Sequence, residues 1–458
     1  MSVVSAQRRA NPYLQGNHAP VTREVDVRQL RVIGRIPPEL RGRFVRNGPN
    51  ALQPVDSRRH HEFIGEGMVH GVRLTDGRAE WYRNRWVRGA SVREHFGEPD
   101  CGGPVHLYDF SANTHVIGFA GRTLALVEAG SLPVELDFEL NSVSRHNFHG
   151  TLPNGFTAHV KVDPNSGERH ALAYAWEVLD HIQHIVLGPD GQVRTCTPIR
   201  LAGPSMVHDV GITARHVVVL DQPVLLDPLL VAARRPVPFS WREGYGSRVG
   251  LLSRSDPSAP VHWFEVEESF AFHILNAYEI GEDRVEIDVA RYPRTMDKDR
   301  HGSLGDGLAR LQRWSLNLYS GRATETVIDE RHQDFGRIND AYTGKPYRYG
   351  YLALFGEGRS LGNLVKQDLA TGVGIVHDLG TSSHASEPVF VPHPKAAEED
   401  QGWVLCFVYD NIRQASALWI IDAGDFAARP VAIIELPVRI PTGFHGSWIS
   451  DAEVPPPP

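Results

Sequence analysis

The sequence predicts a predominantly β fold with one closed architecture, and three observations carry that prediction. Short apolar runs alternate with period two along most of the chain; Asp-Gly, Asn-Ser-Gly and Gly-Asp signals punctuate them; and from about residue 65 onward no Ser/Gly-rich linker or charge block interrupts the succession. A β-propeller or a large barrel satisfies all three.

Taken in order, the strand-like runs are RFVRNGPN (43–50), MVHGVRLTDGRAEWYRNRWV (68–87), RTLALVEAG (122–130), FTAHVKVDPNSGERHALAYAWEV (156–178), HVVVLDQPV (216–224), DRVEIDVARY (283–292), GWVLCFVYD (402–410) and ALWIIDAG (417–424). Helical candidates are few: a stretch near 221–245 and another at 302–311, both insertions on a β scaffold. The first of these, containing DQPVLLDPLLVAARRPVPFSW, is apolar, Pro-interrupted and carries two arginines. It reads as a buried connection, or as a cap at the entrance of a tunnel that touches a membrane surface or admits an apolar substrate. Residues 1–25 read as an N-terminal extension and 453–458, ending in four prolines, as a disordered tail.

Composition narrows the function. At 458 residues and 41% hydrophobic, the chain buries a sizeable core without staples. Its formal charge of -8, with Lys and Arg scattered, gives no footprint for a phosphate backbone, so nucleic acid is not an expected partner. The three cysteines, Cys101, Cys196 and Cys406, form no CxxC pair, which fits a reducing, cytoplasmic setting. No run of 18 uncharged apolar residues marks a membrane span.

Histidine is abundant, with 23 residues, and most sit in polar surroundings that predict a surface position, such as His60, His61, His170, His301 and His332. Four differ. His159 in FTAHVKVD, His208 in MVHDVGIT, His273 in AFHILNAYE and His445 in GFHGSW each lie in or beside an apolar, strand-like run. They are 49, 65 and 172 residues apart in turn (159 to 208, 208 to 273, 273 to 445), so each arrives from a different element rather than from one helix. Propeller blades of roughly 40 to 50 residues would bring such histidines together on the axis.

Imidazole suits iron, copper, nickel and zinc alike. Four neutral histidines on an octahedral ion leave two positions open, for O2 beside a substrate, and this points to one iron(II) per chain. A metal-bound imidazole normally donates its other N–H to a carboxylate or carbonyl. Acidic residues inside apolar strands are the candidates: Glu128 in TLALVEAG, Glu387 in HASEPVFV and Asp334 in HQDFGRIND. The chain has no HExxH, no P-loop, no GxSxG and no deaminase signature, and GEGMVHG (65–71) lacks a dinucleotide-loop setting.

At this point the residues resemble a family, the carotenoid cleavage oxygenases, which include lignostilbene-type dioxygenases. GRFVRNGPN (42–50), GEGMVHGVRL (65–74), FTAHVKVDP (156–164), SMVHDVGIT (205–213), FHILNAYE (272–279), DFGRIND (334–340), SEPVFVP (386–392) and FHGSW (444–448) fall in the family's order along almost the whole chain. The resemblance implies a seven-bladed β-propeller with a helical or loop cap and iron(II) on its axis. It implies His159, His208, His273 and His445 as ligands, with Glu128, Asp334 and Glu387 hydrogen-bonded to three of them. The middle acid is often glutamate in the family, and Asp334 is shorter. Stilbenoid-cleaving members commonly carry a lysine just before the first of these glutamates, where this chain has Val127.

The implied activity is oxidative cleavage of a C=C bond of an apolar conjugated alkene by O2, giving two carbonyl products. An apocarotenoid is at least as well favoured as a stilbenoid or phenylpropene. Val127, Phe272 and Phe444, each beside one of the acids or histidines, are the expected cavity residues. The alternatives are an isomerase or isomerohydrolase on the same iron site, a stilbenoid-specific cleaver, and a propeller that only binds.

Overall fold

The computed structural model describes residues 11–107, 109–175, 178–356 and 360–458. Among them the strands form seven antiparallel blades. The second is His115–Phe119, Arg122–Leu126, Val134–Leu136 and Ser142–Arg145, and the third is Val160–Val162, Arg169–Ala175, Val178–Leu187 and Val193–Ile199. The fourth is Gly211–Ile212, His216–Asp221, Ser247–Ser253 and His262–Val266. The fifth runs Phe270–Ile280, Arg284–Tyr292 and Arg310–Asn317 into Arg322–Ile338, a strand long enough to serve two blades. Its residues 322–332 pair with Arg310–Asn317, whereas 333–338 pair with Tyr349–Phe355 and open the sixth blade, completed by Leu361–Asp368 and Val373–His377.

The first and seventh blades close the ring, because each joins strands from opposite ends of the chain. Gly42–Arg46 pairs on one side with Glu66–Thr75 and on the other with Gly446–Ser450. Arg31–Gly34 pairs with Ala432–Glu435 at the outside of the seventh blade, whose other strands are Ala415–Asp422, Gly402–Asp410 and the short pair Ser383–Ala385 and Val389–Pro392. A propeller needs one apolar seam per neighbouring pair of blades, and seven are present. Val72 and Tyr82 meet Leu405 and Ile434 between blades one and seven, and Val218 and Leu251 meet Ile287 and Trp314 between four and five. The other five seams follow the same pattern around the ring.

Local sequence explains these elements. Asp76 and Gly77 both have positive φ, 48° and 72°, so the Asp-Gly pair makes the two-residue turn whose twist matches the hairpin Glu66–Thr75 to Arg78–Trp86. Phe270–Ile280 lies at the inner edge of its blade, and its apolar run FAFHILNA is buried on both faces.

The cap holds little helix. Within 221–245 only Pro228–Ala232 is helical, started by the Asp227 side chain accepting from the Leu229 amide, and a two-stranded ribbon, Val224–Leu226 with Phe239–Trp241, flanks it. The helix expected at 302–311 does not form: three glycines interrupt the segment, which runs as a loop into the strand beginning at Arg310. A short helix that periodicity did not signal, Ala90–Phe96, ends on Gly97 in the left-handed region. Residues 1–10 of the N-terminal extension lie outside the described residues. Its remainder forms two short turns, Pro12–Leu14 and Gly16–His18. Of the segment assigned to a disordered tail, Glu453 and Val454 are instead packed, the first paired with Arg169 at 3.0 Å and the second buried in the seam between blades one and two. No described helix is long and apolar enough to cross a membrane.

Candidate metal centre

Four blades deliver one histidine each to the axis. His159 precedes Val160–Val162, His208 precedes Gly211–Ile212, His273 lies within Phe270–Ile280, and His445 precedes Gly446–Ser450. All four therefore sit on the edge strand of a blade, or on the turn leading into it. Each offers one ring nitrogen, and these four atoms lie within 4.8 Å of one another. The ring centroids are 4.3 to 6.4 Å apart.

Hydrogen bonding on the outer side fixes the rings. His273 Nδ1 faces Asp334 Oδ1 at 2.7 Å, His445 Nδ1 faces Glu387 Oε1 at 3.0 Å, and His208 Nδ1 pairs with Glu128. Carboxylates accept, so each Nδ1 carries the proton and each Nε2 presents a lone pair inward. The Nε2 atoms of His159 and His273 are buried without a hydrogen-bond partner. Such orphans cost about 1–3 kcal/mol each, and a cation among the four lone pairs relieves them; the donor set fits a divalent transition metal. Burial and the neighbouring histidines hold His159 and His445 well below the ordinary histidine pKa, so both are neutral bases. Burial also opposes charge on His273, but the adjacent Asp334 outweighs it and raises that pKa.

Unusual backbone aims two of the acids. Ala129 and Phe335, the residues after Glu128 and Asp334, have φ of 65° and 55°, in the left-handed region that side chains other than glycine seldom adopt. At Asp334 the pairing with Tyr349–Phe355 shifts register, and the resulting bulge carries the shorter carboxylate to His273. Glu387 is held between the two short strands of blade seven and accepts from the Gly446 amide at 2.8 Å through its second oxygen.

The surroundings contain groups that sequence reasoning missed. Asp209 Oδ1 lies 3.8 Å from His159 Nδ1, beyond a direct hydrogen bond, and Asp209 is itself held by Lys161 and the amides of Val210 and Ile274. An acid in an apolar run beside His208 is the same signal that singled out Glu128. His115 packs 5.5 Å from the His445 ring, yet both its nitrogens already face protein oxygens, of Ala158, Gly446 and Ser447. With Nδ1 donating to the Ala158 carbonyl, its remaining lone pair faces the Ser447 hydroxyl and not the other histidines. Tyr174 donates to Glu128 at 3.1 Å and Tyr292 to Asp334 at 2.6 Å. Three histidines expected on the surface are buried: His60, whose carbonyl is met by the Asn11 side chain and His301; His61, packed edge-on against Phe63; and His170, which shares a 3.0 Å contact with His184 inside blade three.

Two cavities, each about 490 Å³, meet the histidines from opposite sides. The first, under the cap, reaches His208, His273 and His445, and its wall includes Val127, Phe272 and Phe444. Phe63 bridges the two phenylalanines edge-on, with centroids 6.2 and 5.7 Å away. The second reaches His159 and is of mixed character, with His115, Lys161, Arg337 and Asp340 among apolar residues along it.

Residues 18–450 match the profile of the family described as retinal pigment epithelial membrane protein. A carotenoid cleavage oxygenase of Mycobacterium tuberculosis is 38% identical, over 98% of this chain and 99% of its own. The chain belongs to the carotenoid cleavage oxygenase family. A carotenoid 9,10(9′,10′)-cleavage dioxygenase of Phaseolus vulgaris is 31% identical over 96% of this chain and 90% of its own. Among solved structures, the lignostilbene dioxygenase of Pseudomonas brassicacearum superposes with a TM-score of 0.87 at 26% identity, covering 96% of this chain and 98% of that one. The cobalt-substituted apocarotenoid oxygenase of Synechocystis does so with a TM-score of 0.85 at 25% identity, covering 94% and 97%. The two solved structures share this fold over nearly the whole chain, and the family is one of metalloenzymes that cleave alkenes oxidatively.

Proposed function

We propose that this chain is an iron(II) dioxygenase that cleaves a C=C bond of a neutral, conjugated, apolar alkene, an apocarotenoid being favoured. The observation that carries the reading is the convergence of four histidine nitrogens, three of them reached from one apolar cavity. Iron(II), when held by His159, His208, His273 and His445, supplies O2 activation next to the alkene. Both oxygen atoms of O2 end in the two carbonyl products, so the reaction balances without an external reductant.

The protein's own part is positioning and exclusion of water. Glu128, Asp334 and Glu387 keep three imidazoles in the tautomer that presents Nε2 inward. Phe63, Phe272 and Phe444 give the alkene an apolar wall against which a conjugated chain stacks, and this wall keeps water from the reacting carbons. Val127 supports the apocarotenoid reading: it lies in the wall next to Glu128, and no lysine is found among the described residues of that cavity to grip a phenol. The unpaired cysteines support a cytoplasmic location.

The test is iron content after anaerobic purification, for wild type and His208→Ala, followed by O2 uptake with apocarotenals, stilbenes and vinylphenols. About one iron per chain, weakened in the variant, with O2 consumed and aldehydes formed, is the expected result. Conversion without O2 uptake would identify an isomerase instead, and iron-free native protein would overturn the four-histidine centre.

A further inference from the structure

Each of the three acids beside the histidines has a second oxygen, and in each case a donor holds it. For Glu387 the donor is a backbone amide, of Gly446; for Glu128 and Asp334 it is a phenol on the cavity wall. The Asp334 arm is the tightest. Oδ1 accepts from His273 Nδ1 and from the Phe335 amide, both at 2.7 Å, and Oδ2 accepts from the Tyr292 hydroxyl at 2.6 Å. Asp334 and Tyr292 are each 1% exposed.

Tyr292 ends the strand Arg284–Tyr292, and its ring is locked edge-on between Phe272 at 5.3 Å and Phe355 at 6.4 Å. The phenol is thus a fixed donor rather than a mobile one. A carboxylate on one methylene turns about its Cβ–Cγ bond unless both oxygens are engaged, and turning would take Oδ1 away from His273. We propose that Tyr292 is a positioning residue of the metal centre, whose phenol pins Oδ2 of Asp334 so that Oδ1 holds His273 in register with the other three histidines. Burial, then the charge of Asp334, raise the phenol's pKa well above its ordinary value, so Tyr292 remains a donor across the working range. The inference rests on the metal-centre reading above.

Tyr292→Phe removes one oxygen and leaves the aromatic packing. Cobalt(II) and iron(II) affinity, measured by chelator competition without O2, and the visible spectrum of the cobalt form are the readouts, with apo-protein Tm as the control for folding. Loss of a hydrogen-bond partner behind a ligand typically weakens metal binding about 10- to 100-fold. The lower end, about tenfold, is expected here because the Phe335 amide remains, together with a shifted cobalt spectrum. Tyr174→Phe, which removes a longer bond, should weaken binding less. Adding Tyr292→Phe to Asp334→Asn should cost little more than Asp334→Asn alone, because the phenol acts through that carboxylate. Unchanged affinity and spectrum in Tyr292→Phe, or full additivity with Asp334→Asn, would overturn the inference while leaving the metal centre intact. Wild type that binds neither metal would overturn both.

Discussion

Glu387→Gln separates the structural work of a buried carboxylate from its work on the metal. Glu387 is 3% exposed; Oε1 takes His445 Nδ1 at 3.0 Å and Oε2 takes the Gly446 amide at 2.8 Å. A glutamine of the same shape has one acceptor and one donor, so it can satisfy only one of these two N–H groups. If its oxygen keeps Gly446, its NH2 faces His445 Nδ1, which must then become an acceptor. The proton moves to Nε2, and that nitrogen no longer has a lone pair for a cation. If the amide flips, the buried Gly446 N–H loses its partner at a cost of about 1–3 kcal/mol. Arg337, whose nearest carboxylate oxygen on Glu387 is 3.7 Å away, loses a counter-charge in both cases. The expected outcome is an apo protein destabilised by about 1–3 kcal/mol and a metal affinity reduced about 10- to 100-fold. Urea unfolding of the apo form and anaerobic chelator competition measure the two separately. Full metal affinity in Glu387→Gln would refute the argument that this carboxylate sets the tautomer of His445.

Two further outcomes follow from the fold. Burial opposes the charge of Glu279, but hydrogen bonds from His216, Thr213 and the amides of Ala214 and Arg215 outweigh it and hold its pKa at about 2, against 4.5 for a free glutamate. A depressed carboxylate stabilises the fold above its unfolded pKa, so the advantage of wild type over Glu279→Gln should be complete above about pH 5 and shrink steadily as pH falls from 4.5 toward 2; urea midpoints across that window check it. Trp314 is fully buried in the seam between blades four and five, and Trp314→Ala should cost about 3–5 kcal/mol, read as a lower unfolding midpoint.

The parts legible in the sequence are those with a local signature. A histidine in an apolar strand announces itself, and four such residues far apart in the chain, His159, His208, His273 and His445, do converge. Glu128, Asp334 and Glu387 are legible for the same reason: a carboxylate in an apolar run needs a partner. Asp209 carries that signal too, and only its neighbour drew attention. What decides the Asp334 contact has no such signature, because a left-handed Phe335 and a shifted register depend on the two sheets that share Arg322–Ile338. The burial of His60 and His61 is likewise hidden, since their polar neighbours Arg58 and Arg59 are exposed, while Asn11 and His301, distant in the chain, close over the His60 backbone. At 302–311 the expected helix is absent, because Gly302, Gly305 and Gly307 disfavour it.

The way the ring closes bears on how the protein is made. Gly446–Ser450 is translated after every other blade, yet it supplies an inner strand of the first one, and His445 enters on the turn immediately before it. While a ribosome still holds these residues, Gly42–Arg46 presents an unpaired edge and the centre has three histidines of its four. Closure of the first blade and completion of the centre are therefore a single event, and a chain stopped short of residue 445 would lack both the inner strand of the first blade and the nitrogen that completes the cage, leaving the pairing of Arg31–Gly34 with Ala432–Glu435 to join the ends of the ring.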